Sequence, residues 1–361
     1  MRTRTLHVAA ALVAGLLTVP LAACGSDERT GGSDGFTVGL LLPNRVTPRW
    51  ELADKPLIEK HVERQCPECR VEYANADGDA ARQRDQVTSM ITKGVKVLIL
   101  DPADSKALRS SIQEARRAGV PVVAYDRLAE GPVSGFVSFD GARVGRLQGE
   151  ALLTAMKARG AGRTVVMMNG DPSSANAGWF RRGALSVLAG RVTVARSYDT
   201  AGWSPESAHA NMSAAISALG ADRISGVLAA NDAIAAGVVS AFRKAGVDKP
   251  PPVTGQDADL EAVRRIVAGE QYMTVYKPFE KEAEAVAAMA LALGRGESAE
   301  DVATTTIDSA TRRDIPAILL TPTEVTAQDV ERTLVRDGVY TVGQICVPEL
   351  RAACDRLGLT R

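Results

Sequence analysis

The residues best suited to chemistry come as polar pairs at the ends of apolar runs. LAAND at 228–232 begins as a buried-strand pattern, ends in Asn231 and Asp232, and restarts at once as the apolar helix AIAAGVVSAF. The same step recurs in LLLPNR (40–45), LILDPAD (98–104), VVAYDR (122–127), VMMNGD (166–171), VTGQDAD (253–259) and TVYKP (274–278). One helix N-cap per element accounts for Asp232 and for one of Asp257 and Asp259, which leaves Asn231 and the other carboxylate unassigned. Such spare amides and carboxylates, with the guanidinium of Arg127 and the ammonium of Lys277, can grip hydroxyl groups through charge-assisted hydrogen bonds. Trp50, Trp179 and Trp203 stand at expected loop-to-helix junctions, and an indole face can cover the C–H face of a sugar-like ring. Each has a plainer reading. Trp203 precedes Ser204-Pro205 and could be a hydrophobic staple, Trp50 follows Thr47-Pro48 at another helix start, and Trp179 could be core. Arg127 could pair with Asp126, and Lys277 could be a solvated strand end.

Several chemistries lack their residues. Only His7, His61 and His209 are present, so a histidine-based triad or metal centre is hard to assemble. GxxxxGK[ST], GxGxxG and GxSxG are all absent, which removes the usual support for phosphate loops, dinucleotides and a nucleophile elbow. No catalytic residue, metal or cofactor is expected. A pair of glycosidase carboxylates is a spatial arrangement, so an exported glycosidase stays open as an alternative. Lys plus Arg and Asp plus Glu number 43 each, a balance that attracts neither nucleic acid nor an anionic membrane.

These groups need elements to position them. Short, continuously apolar runs such as FTVGLLL, VKVLIL, VPVVAY and TVVMMN alternate with longer helical patterns, and a second series with the same grammar starts near residue 140. Alternation of this kind gives α/β architecture with parallel sheets covered on both faces. Two doubly wound domains are expected. Ligands of open parallel sheets bind beyond the carboxyl ends of the strands, where the polar pairs fall.

The start MRTRTLHVAAALVAGLLTVPLAAC has a basic head, a short apolar stretch and a small-residue end, the pattern of an export signal. LAAC resembles the bacterial lipobox, so residues 1–23 are expected to be removed and Cys24 lipidated, with a plain signal peptide as the alternative. The Gly- and Ser-rich stretch that follows, residues 24–35, has nothing to bury and reads as a tether. Cys66, Cys69, Cys346 and Cys354 are an even set in an exported chain, which favours two disulfides. Three pairings are possible, and proximity favours 66 with 69 and 346 with 354. CPEC as a redox or zinc motif is disfavoured because it follows a helix rather than a strand.

From residue 36 the chain resembles the bacterial D-xylose-binding proteins and their relatives, sugar-binding components of ABC importers with the type I periplasmic binding protein fold. The resemblance is carried by PRW (48–50), YANADGD (73–79), AYDR (124–127), VSFD (137–140), GW-P (202–205), AND (230–232), GQDADL (255–260), MTVYKP (273–278) and LLTP (319–322). It implies two Rossmann-like lobes joined by a three-crossover hinge, 36–139 with 276–318 and 140–275 with 319–345, and a disulfide-stapled tail at 346–361. It also implies closure over one monosaccharide held by Arg49, Trp50, Asp126, Arg127, Asn176, Trp203, Asn231, Asp257 and Lys277, with Trp50 and Trp203 as the stacking pair. Ser174 stands where the xylose binders carry an acidic residue, which opens the choice to glucose, arabinose, galactose or a sugar-like signal. The implied protein is a monomeric lipoprotein on the outer face of the cell membrane, partnered by a permease and a separate ATPase subunit. A sugar-responsive repressor shares the fold, but an export signal replaces its DNA-binding helices.

Overall fold

A computed structural model describes residues 35–360. The leader, Cys24 and nearly all of the tether lie outside that range. Among the described residues no helix is long and apolar enough to cross a membrane.

Among the described residues twelve strands form two sheet systems. In the first, β1 (Thr37–Leu42), β2 (Arg70–Asn75), β3 (Val97–Leu100), β4 (Val122–Tyr125) and β5 (Gly135–Phe139) are joined by β10 (Thr305–Ile307) and β11 (Ile315–Leu320), in the order β10-β11-β5-β4-β3-β1-β2. All neighbours are parallel except β10 with β11. The second has β6 (Thr164–Asn169), β7 (Thr193–Asp199) and β8 (Gly226–Ala229) in the order β7-β6-β8, all parallel. Val253 bridges to Val227, and Tyr272 N donates to Val253 O, so the layer continues into the antiparallel pair β9 (Met273–Tyr276) and β12 (Thr323–Thr326).

Burial on both faces explains the unbroken Val, Ile and Leu runs. In β1, Leu40 and Leu42 join one core cluster and Leu41 another; in β6, Val166 and Met168 join one and Val165 and Met167 another. Alternate residues therefore enter helix-covered cores on opposite sides of one sheet. The covering helices start at side-chain caps: Asp79, Asp140 and Ser204 each accept from backbone N–H groups of the first turn.

The chain passes between the lobes three times, after Phe139, after Tyr276 and after Leu320. The implied boundary at 318/319 is corrected, because Leu319 and Leu320 remain in register with Ser138 and Phe139 of β5. The 275/276 boundary moves by one residue, because Tyr276 still pairs with Thr323. The last residues are not a separate tail either. Helices Val342–Ile345 and Arg351–Leu357 place Ile345, Ala353, Cys354 and Leu359 in one core with Val263, Val267, Tyr276 and Val325 of the second lobe. Cys66 Sγ lies within disulfide distance of Cys69 Sγ, and Cys346 Sγ of Cys354 Sγ.

Candidate functional site

All nine residues assigned to ligand contact line one cavity between the lobes. The lining side chains close on it tightly, leaving a cavity volume of about 20 Å³, little more than one water needs. None of the nine is more than 5% exposed. Thr47, Phe180 and Gln256 complete the lining.

The first lobe supplies Arg49 and Trp50 from the loop after β1, and Asp126 and Arg127 from the end of β4. Asn44 shapes the first loop, its Oδ1 accepting from Val46 N at 3.0 Å and Thr47 N at 3.3 Å. The Arg49 guanidinium is gripped on every edge: Nε reaches Asp54 Oδ2 at 2.8 Å, Nη2 reaches Asp54 Oδ1 at 2.5 Å and Glu282 Oε2 at 2.7 Å, and Nη1 reaches Asp126 Oδ2 at 3.0 Å. Its Cζ also lies 4.3 Å from the Trp50 ring and 4.0 Å from that of Phe279. Arg127 sits between the two tryptophans, 5.5 Å from the Trp50 ring and 5.9 Å from the Trp203 ring, with Asp101 as its carboxylate at 3.5 Å.

The second lobe supplies Asn176, Trp203, Asn231 and Asp257. Asn176 Nδ2 crosses to the first lobe and donates to Asp126 O at 3.2 Å and Oδ1 at 2.9 Å. Lys277, on the second crossing, is 2.8 Å from Asp257 Oδ1 and 3.5 Å from Asp126 Oδ2. The Asp257 contact is an ion pair without hydrogen-bond alignment. Trp50 Nε1, Trp203 Nε1, Asn176 Oδ1 and Gln256 Oε1 are buried with no hydrogen-bond partner in the protein. Orphaned polar atoms of this kind are costly, and these converge on one cavity, where a polar ligand would satisfy them. Asp126, Trp203 and Asp257 also hold φ values of 52°, 56° and 98°, left-handed conformations that folds tolerate where a ligand clamp requires them.

Charge in the cavity wall is nearly balanced. Burial pushes the Glu282 carboxyl up to about 8, against the opposing pull of Arg49, and burial likewise raises Asp101 well above the carboxylate range despite Arg127. Burial also acts to raise Asp126, but Lys277, Arg49 and Arg127 together outweigh it and hold this carboxyl below its ordinary value. Within the lining Asp126 and Asp257 face Arg49, Arg127 and Lys277, while Asp54 and Glu282 back Arg49 and Asp101 backs Arg127. A balanced wall of donors and acceptors suits a neutral polar ligand. Among the described residues no group of histidine, cysteine or carboxylate side chains is arranged to hold a metal ion.

Three sequence expectations change. Asn231, not Asp232, caps the helix Asp232–Lys244, with Oδ1 accepting from Ile234 N at 2.9 Å. Asp232 turns inward instead and accepts from Gln271 Nε2, Thr274 Oγ1 and Asp259 N, a buried scaffold for the loop that carries Asp257. Ser174 does not line the central cavity. It occupies the N-cap position of Ala175–Leu188 without making a cap bond, beside a separate groove at the seam of the lobes. Trp179 lies inside that helix rather than at a junction, its ring 6.0 Å from Phe136 of the first lobe. Of the lining residues missed, Thr47 adjoins the motif PRW and Gln256 lies within GQDADL, whereas Phe180 carries no sequence signal.

Comparison with known proteins agrees with this architecture. A model of the family described as periplasmic binding protein domain matches residues 38–298. The chain is 33% identical over 314 residues to the D-xylose-binding periplasmic protein of Escherichia coli (strain K12), covering 85% of this chain and 92% of that one. It is also 33% identical over 333 residues to the multiple sugar-binding periplasmic receptor ChvE of Rhizobium radiobacter, covering 87% and 93%. Among solved structures it is similar to a carbohydrate transporter solute binding protein from Chloroflexus aurantiacus in complex with D-glucose, with a TM-score of 0.77, 28% identity, and coverage of 85% and 97%. The fold, the interlobe cavity and these matches together make the chain a member of the periplasmic binding protein family, a family of solute receptors rather than enzymes.

Proposed function

We propose that this protein is the extracytoplasmic receptor of an ABC sugar importer and captures one monosaccharide, D-xylose in the first instance, between its lobes. The observation that carries the reading is the enclosed cavity in which Trp50 and Trp203 flank a balanced set of carboxylate, amide, guanidinium and ammonium groups. A pyranose presents C–H faces to indoles and hydroxyl edges to planar polar groups, and this lining offers both. Charge-assisted hydrogen bonds of roughly 1.5 to 3 kcal/mol each, set against the cost of association, suffice for an affinity near ~1 μM. Mechanism follows from differential contact: the sugar bridges residues of both lobes, so it stabilises the closed arrangement and presents it to a permease and its separate ATPase. Both cysteine pairs act as disulfides, and lipidation of Cys24 keeps the receptor at the outer face of the membrane.

D-Glucose is the second reading, favoured by the similarity to a receptor solved in complex with that sugar. Calorimetric titration of the mature chain with D-xylose, D-glucose, L-arabinose, D-galactose and D-ribose, with tryptophan emission followed in parallel, separates the two. Micromolar binding of xylose with an emission change supports the first; tight binding of another sugar reassigns the ligand; silence across the panel removes the sugar reading. Cys24→Ser is expected to release the protein from membranes, and membrane retention of that variant refutes the anchor.

A further inference from the structure

Two cavity residues, Asp257 and Lys277, form an ion pair at 2.8 Å, and both are backed by the same piece of chain. Asp257 is followed by Ala258, and the two hold φ values of 98° and 55°, a pair of left-handed residues that local backbone preference alone does not maintain. Lys277 is preceded by Tyr276. Ala258 and Tyr276 both belong to the core cluster built with Ile345, Ala353, Cys354 and Leu359 of the C-terminal segment. The contact is more than apolar. Tyr340 Oη donates to Ala258 O at 3.0 Å, and Arg264, on the helix that follows the Asp257 loop, donates to Gln344 O through Nε at 3.1 Å and Nη2 at 2.6 Å. The segment carries its own local ties, a capping box between Thr341 and Gln344 and the close sulfurs of Cys346 and Cys354.

We infer that the C-terminal segment is a buttress for the ligand-facing Asp257–Lys277 pair and that Tyr340 is a positioning residue for sugar capture, a conclusion that rests on the proposed receptor function. Tyr340 is not among the residues that line the cavity. It acts through the Ala258 carbonyl, part of the Ala258–Asp259 peptide, and so holds the left-handed Ala258 that directly follows Asp257. A segment that merely completes the hydrophobic core contributes to stability alike with and without sugar, whereas a buttress contributes to affinity through one named residue.

The test is a double-mutant cycle in the mature protein, with affinity measured by calorimetry for the sugar that the wild type binds best. Tyr340→Phe keeps the ring and deletes only the hydroxyl, so the unligated melting temperature falls by no more than a few degrees, as for any single hydrogen bond, while the loosened Asp257 loop lowers affinity about 3- to 10-fold. In an Asp257→Asn background the same change costs less than about 2-fold, because the side chain it positions has already been altered. Unchanged affinity in Tyr340→Phe overturns the inference while leaving the receptor reading intact. So does an equal loss in both backgrounds. Failure of the wild type to bind any of the five sugars overturns the receptor reading first and this inference with it.

Discussion

Asn231 and Asp257 separate what a side chain does for the ligand from what it does for the fold. Asp257 caps no helix, and its carboxylate faces Lys277 inside the cavity. Asp257→Ala is therefore expected to weaken sugar binding by roughly 1.5 to 3 kcal/mol with little movement of the unligated melting temperature. Asn231 lines the same cavity but also closes the first turn of Asp232–Lys244. Asn231→Ala should lower affinity and remove about 1 kcal/mol of stability as well. Parallel titration and unligated melting curves check both, and equal melting losses in the two variants would contradict the division. Sequence reading reached these positions because a strand end loads its loop with polar residues, and a resemblance then supplied the ligand-facing set. It exchanged the roles of Asn231 and Asp232 because adjacent Asn and Asp are equally good caps in composition. Only the tertiary fact that Gln271, Thr274 and the Asp259 amide converge behind the loop pulls Asp232 inward. Ser174, a possible contact by resemblance, lies beside the groove at the seam and outside the cavity lining.

At the scale of elements, the helix Phe279–Gly294 matters most after the strands, because it brings Glu282 beneath Arg49. A carboxyl whose folded pKa is raised from 4.5 to about 8 holds its proton more tightly in the folded protein than in the unfolded chain. Between those values the folded state binds more protons, so this group's contribution falls as pH rises and levels off above about 8. Asp232, raised by burial to about 7, acts in the same direction. Asp126, held below its ordinary value, works oppositely, but only under acid conditions outside that window. Unligated stability is thus expected to decline from pH 5 to pH 8, and Glu282→Gln, which imitates the protonated form, should flatten the decline while leaving sugar affinity at pH 7 almost unchanged. Melting temperatures across that range decide it; an identical slope in the variant would refute the assignment. The strand and helix alternation was legible because parallel sheets write themselves as unbroken apolar runs. Glu282 was not, because FEKEAEAV reads as an ordinary solvated helix until its packing against Arg49 is known.

Across the whole molecule, the lobes meet through a seam as well as through the cavity. Ser105 N donates to Ser173 O at 3.0 Å, Ser173 Oγ donates to Ala103 O at 3.4 Å, and Trp179 from the second lobe packs on Phe136 of the first. Each contact exists only while the lobes are together, so each adds to the free energy that closure releases on sugar binding. Trp179 lies outside the lining of the central cavity, yet Trp179→Ala should weaken sugar affinity, because the closed state loses an aromatic pair worth about 0.5 to 1.5 kcal/mol beyond the area it buries. A ligand-contact variant such as Asp257→Ala differs in kind, since it leaves the seam unaltered. Small-angle scattering distinguishes the two. At sugar concentrations far above each dissociation constant, Asp257→Ala should reach the compact radius of the saturated wild type, whereas Trp179→Ala should retain a larger average radius from a residual open population. A Trp179→Ala protein that binds sugar with wild-type affinity would mean that closure draws its free energy from the cavity alone and that the seam only follows.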